Sequence, residues 1–139
     1  MTNYFQKIMI IDDDSIDRLL LNKILMKAGL AGEIIEADSW LKALDILTAA
    51  SMKHEQFPEL IFLDVNMAAM DGFQFLDVFT QLSRDYSSRC RIVLVSSIDN
   101  EPDRKKGLKY ECVAGYYLKP LNIEILLQLK ENLRHTNVS

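Results

Sequence analysis

Cysteine, proline and glycine are scarce in this 139-residue sequence, which holds two cysteines, three prolines and five glycines. So little proline and glycine argues against a long disordered or fibrous segment. Cys90 and Cys112 have no metal-ligand spacing, and the N-terminus shows no signal-peptide pattern. We therefore expect reduced thiols in a cytoplasmic protein.

Long apolar runs and an excess of basic residues are also missing. No stretch approaches the roughly 20 apolar residues that a membrane-spanning helix needs. The formal net charge of -4 argues against a nucleic-acid-binding surface, because phosphate recognition normally needs a basic face. We expect neither a membrane nor nucleic acid among the partners of this chain.

Short apolar runs alternate with amphipathic helical patterns along the whole sequence. The predicted strands are 7–11, 33–37, 60–63, 91–96 and 116–118, and the predicted helices are 15–27, 39–50, 73–82, 102–110 and 123–133. Five β-then-α units predict an α/β fold with a doubly wound, five-stranded parallel sheet and helices on both faces. No linker or repeat divides the chain, so we expect one domain over 1–139, with a core of about 7–133 and a short polar C-terminal tail.

Local signals mark several helix boundaries. Asp14 and Ser15 fit the start of the first helix, Gly29 its stop, and Asn122 the N-cap of the last helix. Asp71-Gly72 is typical of a turn in which the glycine adopts positive φ.

Polar residues suited to one reaction follow four of the predicted strands. Asp12 and Asp13 come after the first strand, Asp64 ends the third, Ser96 the fourth and Lys119 the fifth. Ligands of open α/β sheets bind outside the carboxyl ends of the strands, so these side chains should converge. Each alone has an ordinary interpretation as a loop, cap or turn residue. The joint pattern favours a functional site.

The chemistry of these residues fits a magnesium-dependent phosphoryl site. Mg²⁺ takes oxygen ligands and keeps several waters, so Asp13, Asp64 and the backbone carbonyl of Asn66 could bind it, with Asp12 acting through a metal-bound water. An aspartate can attack phosphorus and form an acyl phosphate. Lys119 and the hydroxyl of Ser96 could contact the remaining phosphoryl oxygens.

The assembled motifs closely resemble the receiver domain of two-component response regulators. The matching segments are Ile10-Ile11-Asp12-Asp13-Asp14-Ser15 with Arg18, residues 62–72, Val93-Leu94-Val95-Ser96-Ser97 and Gly115-Tyr116-Tyr117-Leu118-Lys119-Pro120. The resemblance covers about 7–133 and implies a flavodoxin-like (βα)5 fold with strand order 2-1-3-4-5. It implies a single-domain regulator similar to those of chemotaxis.

The resemblance also implies a role for each site residue. Asp64 would accept a phosphoryl group from a sensor histidine kinase or a histidine phosphotransfer protein, with Mg²⁺ held by Asp12, Asp13 and the Asn66 carbonyl. Ser96 and Lys119 would contact the phosphoryl group, and Tyr116 would change rotamer with Ser96. An unknown downstream protein would bind the face formed by the fourth helix, fifth strand and fifth helix. Such a domain is not an enzyme beyond its own phosphorylation and dephosphorylation.

Three features depart from the family pattern. Ala68 replaces a common proline, and the polar stretch 51–56 is expected to be a surface insertion. Ile98 offers no hydrogen bond to an attacking water, which predicts slow self-hydrolysis of the acyl phosphate.

Two other functions remain open from the sequence. One is a phosphatase with an aspartate nucleophile, although Asn66 stands where such enzymes place a second carboxylate. The other is an interaction module that works without phosphorylation, although such modules usually lose an acid or the lysine. The sequence leaves open whether the chain is a stand-alone regulator or part of a longer protein.

Overall fold

A computed structural model describes residues 5–52, 57–67, 71–82 and 90–136, without the side chains of 134–136. Within these ranges strands and helices alternate: β1 Phe5–Ile11, α1 Ser15–Lys27, β2 Ala31–Ala37, α2 Trp40–Met52, β3 Leu60–Asp64, α3 Gly72–Phe79, β4 Arg91–Ser96, α4 Glu101–Leu108, β5 Val113–Leu118 and α5 Ile123–Thr136. Both Ala68 and residues 53–56 of the predicted insertion lie outside the described ranges. No described helix is long and apolar enough to cross a membrane.

The sheet is parallel throughout and has the order β2-β1-β3-β4-β5. This confirms the predicted doubly wound α/β fold and its strand order. The chain moves from β1 to β2 on one side and then crosses to β3 on the other. The point of reversal therefore lies between the carboxyl ends of β1 and β3, where such sheets bind their ligands.

Among the strands, the bounds of β5 differ most from those predicted, because the strand begins at Val113 rather than at Tyr116. Ala114 and Gly115 have weak strand propensity, so the local pattern does not reveal the first half of the strand. Pairing with the buried strand β4 overrides that propensity, with a register irregularity opposite Ile92 and Val93. Tertiary pairing, not local sequence, extends this strand.

Two apolar clusters cover the two faces of the sheet, because side chains alternate along each strand. Met9 and Ile11 of β1 point to the cluster with α2, α3 and the start of β5. Ile8 and Ile10 point to the other cluster, with α1 and α5. The central strands are buried on both faces, as their continuous apolar runs predict.

The predicted helix signals are confirmed at both ends of α1 and at the start of α5. Asp14 caps α1 by accepting hydrogen bonds from the backbone N–H groups of Ile16 and Asp17. Gly29 follows the helix with a φ of 67°, and the side chain of Asn122 accepts from the N–H of Ile125 at 2.8 Å.

The predicted positive φ at Gly72 is wrong. Asp71 is instead the N-cap of α3, its carboxylate accepting from the N–H of Phe73 at 2.9 Å, and Gly72 is the first helical residue. A Cβ at Gly72 would lie 3.0 Å from the Cα of Val65. Close approach of the backbone, rather than backbone conformation, therefore explains the glycine.

Candidate functional site

Three carboxylates lie close together at the carboxyl ends of the adjacent strands β1 and β3. Asp12 follows β1 and Asp64 ends β3; both are buried, whereas Asp13 is exposed. One oxygen from each of the three lies within 4.8 Å of the others. A cluster of hard oxygen donors at this spacing suits a divalent cation such as Mg²⁺.

The local backbone holds Asp12 in place from several directions. Its Oδ1 accepts from the N–H of Asp14 at 2.9 Å, and its carbonyl accepts from Nη1 of Arg18 at 2.7 Å. Arg18 is fixed in turn by an ion pair of 3.0 Å with Glu36 on β2. Strand β1, helix α1 and strand β2 together orient this carboxylate.

The ammonium group of Lys119 connects the end of β5 to this cluster. Its Nζ donates to Oδ2 of Asp12 at 2.7 Å, to Oδ2 of Asp17 at 2.8 Å and to Oδ2 of Asp64 at 3.2 Å. The backbone N–H of Lys119 donates to the carbonyl of Ser96 at 2.8 Å, which fixes the lysine beside the end of β4. The carboxyl ends of four strands are thereby linked through one residue.

Burial and neighbouring charges shift the pKa values of Asp12 and Lys119. Burial, assisted by the nearby charge of Asp64, raises the pKa of Asp12 to about 6, against the opposing hydrogen bond from Lys119. Burial opposes the charge on Lys119, but the hydrogen bonds to Asp12 and Asp17 prevail and raise its pKa above the usual value. The site thus contains an ammonium group that stays charged and carboxylates whose negative charge it offsets only in part.

Ser96 is buried at the end of β4, and its hydroxyl group contacts Asn66 and Ile98. Its Oγ accepts from the N–H of Ile98 at 3.0 Å and lies within hydrogen-bond reach of two acceptors, Oδ1 of Asn66 and the carbonyl of Ile98. One hydroxyl hydrogen can serve only one of them at a time. We predicted only the backbone carbonyl of Asn66 as a functional group, so this contact of its side chain is additional.

Tyr116 lies inward and is 4% exposed. Its hydroxyl donates to the carbonyl of Ile98 at 3.4 Å, the same carbonyl that Ser96 can reach. The guanidinium of Arg104 sits 4.8 Å from the centre of the Tyr116 ring and donates to the Tyr116 carbonyl at 3.3 Å. A continuous series of contacts therefore runs from Ser96 through Ile98 and Tyr116 to helix α4.

The structure brings Asp12, Asp13, Asp64 and Lys119 into one cluster, and the backbone of Ser96 adjoins it through the N–H of Lys119. It also adds two residues that were not predicted, Asp17 and Arg104. For Asp17 a signal was present. The first turn of α1 begins at the same edge of the sheet as Asp12, so an acid in that turn can reach the site. For Arg104 we find no signal in the sequence, because nothing local indicates that it faces Tyr116.

The fold and the cluster define a class of protein: doubly wound α/β domains with an acidic, lysine-bridged pocket at the switch point of the sheet. Residues 8–131 match the family model described as the response regulator receiver domain. The chain belongs to this family, whose domains are signalling modules of two-component and phosphorelay systems. The predicted family is confirmed.

The relatives of this chain differ in how much of their own length it covers. The chain is 32% identical over 117 residues to the response regulator PleD of Caulobacter vibrioides, covering 84% of this chain and 23% of PleD. It is 28% identical to sporulation initiation phosphotransferase F of Bacillus subtilis, covering 86% of each. A crystal structure of a two-component response regulator from Cytophaga hutchinsonii superposes with a TM-score of 0.85 at 26% identity, covering 95% of this chain and 99% of the other. The chain spans only about half, or less, of the length of several curated relatives.

Proposed function

We propose that residues 1–139 form one receiver domain in which Asp64 accepts a phosphoryl group from a phosphohistidine. The donor would be a sensor histidine kinase or a histidine phosphotransfer protein. The observation that carries this proposal is the ammonium of Lys119, which bridges Asp12 and Asp64 beside the exposed carboxylate of Asp13. Such a pocket holds a nucleophilic carboxylate next to positive charge.

In the proposed reaction an oxygen of Asp64 bonds to phosphorus while the P–N bond breaks and the imidazole leaves with its electron pair. Lys119 then contacts a phosphoryl oxygen in place of the Asp64 oxygen that it holds at 3.2 Å. Asp13, Asp64 and the backbone carbonyl of Asn66 would hold Mg²⁺, with Asp12 acting through a bound water. When bound, Mg²⁺ neutralises charge on the transferring oxygens.

The phosphoryl group would act on the surface through Ser96. If Ser96 turns its hydroxyl toward a phosphoryl oxygen, it leaves Asn66 and Ile98, and the carbonyl of Ile98 then serves Tyr116 alone. Tyr116 is packed against Arg104 of α4, so its movement would alter the face formed by α4, β5 and α5. This face exposes Leu108, Leu118 and Leu127, which supports binding of a downstream protein there.

Cys90 and Cys112 are free thiols, and burial raises the pKa of both. Unpaired thiols support our proposal of a cytoplasmic location, because disulfides are rare in that compartment.

The decisive test measures intact mass after incubation with acetyl phosphate, with Mg²⁺ and with EDTA. Wild type with Mg²⁺ should gain about 80 Da, the mass of one phosphoryl group. Neither the Asp64→Asn variant nor the EDTA sample should gain it. Asp45→Asn, which removes an exposed acid from α2, is the matched control and should behave as wild type. A mass gain that persists in Asp64→Asn would refute the assignment of the acceptor.

Two further measurements separate the alternative functions. A phosphatase would release phosphate from small phosphoesters. We expect no release, because Asn66 stands where such a phosphatase needs an acid group. An interaction module independent of phosphorylation would bind its partner equally as wild type and as Asp64→Asn, with and without phosphodonor.

Ile98 bears on how long the acyl phosphate lasts. Its side chain is 59% exposed and apolar, so it cannot orient a water for attack on phosphorus. We expect slow decay of the phosphorylated species, followed by mass after removal of the donor. Faster decay in wild type than in Ile98→Asn would contradict this expectation.

A further inference from the structure

Asp17 is a third carboxylate on the same lysine. Its Oδ2 lies 2.8 Å from Nζ of Lys119, closer than the 3.2 Å of Asp64. Asp17 is nevertheless not one of the three clustered acids that could share a metal ion in the described part of the chain. It therefore contacts the reactive centre through Lys119 and not through the candidate metal site.

Asp17 is the most exposed of the three carboxylates that contact Lys119. Its side chain is 37% exposed, whereas those of Asp12 and Asp64 are 8% and 6% exposed. A small cavity of about 40 Å³ lies beside it; most of its lining is apolar, and Asp12, Asp17, Asp64 and Lys119 are its polar residues. A phosphoryl group that contacts Lys119 therefore lies near the carboxylate of Asp17, which is 2.8 Å from the same ammonium.

The ammonium of Lys119 has no hydrogen left for an incoming group. An ammonium carries three donors, and Asp12, Asp17 and Asp64 accept one each. A phosphoryl oxygen must therefore displace one of the three carboxylates. Displacement of Asp64 accompanies the reaction itself, whereas Asp17 remains as a competing negative charge beside the phosphoryl group.

We propose that Asp17 is a specificity-determining residue that selects phosphodonors by charge, slowing transfer from doubly negative donors relative to singly negative ones. This inference depends on the proposed function of Asp64 as phosphoryl acceptor. Competition for Lys119 affects all donors alike, because each delivers the same phosphoryl group. Coulomb repulsion grows with the net charge of the donor, so the ratio of rates for two donors isolates the effect of charge.

Two small donors supply the comparison. Acetyl phosphate carries a net charge of about -2 and phosphoramidate about -1 near neutral pH, where the nitrogen of phosphoramidate is protonated. In each reaction an oxygen of Asp64 bonds to phosphorus. The P–O bond to acetate or the P–N bond to ammonia breaks, and the leaving group departs with the electron pair.

The experiment measures the initial rate of acyl-phosphate formation by intact mass, with both donors, at fixed Mg²⁺ and low salt. In Asp17→Asn the rate ratio of acetyl phosphate to phosphoramidate should rise roughly threefold, as the removal of one charge at about 6 Å in water implies. This increase should shrink at about 0.5 M salt, where screening is strong. Asp17→Glu, which retains the charge, should keep a ratio close to that of wild type.

Asp45→Asn removes the same charge from an exposed position in α2 and should leave the ratio unchanged. An unchanged ratio in Asp17→Asn, or an equal change with both donors, would overturn the proposed charge selection while leaving Asp64 as acceptor. If neither donor phosphorylates wild type, the proposed function itself fails and the role of Asp17 fails with it.

Discussion

At the scale of single residues, Lys119 holds the site together. Its three hydrogen bonds connect the carboxyl ends of β1 and β3 with the first turn of α1. Carboxylates as close as Asp12 and Asp64 repel each other and resist burial, and one positive charge offsets this only in part. The raised pKa of Asp12, about 6, reflects the remaining cost.

Replacing Asp12 with asparagine should therefore stabilise the metal-free domain at neutral pH. The folded protein binds the Asp12 proton below about pH 6, whereas the ordinary value of 3.8 applies to the unfolded chain. Between these values the folded state holds more protons, so stability falls as the pH rises. We expect Asp12→Asn to gain about 1–3 kcal/mol of unfolding free energy at pH 7.5 in EDTA.

Urea denaturation at pH 5 and pH 7.5 checks this expectation. Wild type should lose stability between the two pH values, and the loss should be smaller in the variant. Mg²⁺ should restore stability to wild type more than to the variant, because it neutralises the carboxylates that repel each other. A variant that is less stable than wild type at pH 7.5 would contradict the argument.

At the scale of elements, α4 contacts the rest of the domain largely through one glycine and two cations. Gly107 is its only buried residue within Glu101–Leu108, and a Cβ there would lie 2.3 Å from Cδ1 of Leu94. Two cations supply much of the remaining contact, Arg104 over Tyr116 at 4.8 Å and Lys106 over Phe73 at 4.4 Å. A helix with so little buried apolar surface is expected to open locally more easily than α3, which has five buried residues.

Replacing Arg104 with glutamine should loosen α4 selectively. The variant loses the cation–π contact and the hydrogen bond to the Tyr116 carbonyl, which together are worth about 1 kcal/mol at a partly exposed site. We expect amide hydrogen exchange to become faster in α4 while the rates in β1 and β3 change little. Lys105→Gln, an exposed neighbour, is the matched control. Equal exchange rates in both variants would show that Arg104 does not hold the helix.

At the scale of the whole molecule, one sheet separates two apolar clusters. Strands β1, β3 and β4 contribute alternate side chains to both clusters and are hydrogen-bonded to one another. Loss of packing on one face should therefore be transmitted to the other face through the shared strands. We expect the domain to unfold as a single cooperative unit.

Leu126→Ala tests this cooperativity from the α5 side. Leu126 is fully buried in the cluster with α1, so the truncation should cost about 2–5 kcal/mol. Trp40, the only tryptophan, packs against the opposite cluster and reports on that face. The urea midpoints from Trp40 fluorescence and from far-UV circular dichroism should shift together. A fluorescence midpoint that stays at the wild-type value would show that the two faces unfold separately.

The sequence alone determined the order and type of the elements and the chemistry at the strand ends. Periodicity located α1 and β4 to the residue, because alternation and amphipathic spacing are local properties. Periodicity failed at the start of β5, where pairing decides, and the Asp-Gly turn signal failed at Gly72, where the close approach of Val65 decides.

Only the tertiary structure decided which side chains share a hydrogen bond. Lys119 is 102 residues from Asp17, and Ser96 is 30 residues from Asn66. Such contacts depend on the order of the strands and on the side to which each helix returns, and neither is encoded within a short window of sequence. The acidic residues after β1 thus indicated a cation site by themselves. The fold placed Lys119 among them and made Asp17 a further carboxylate on its ammonium.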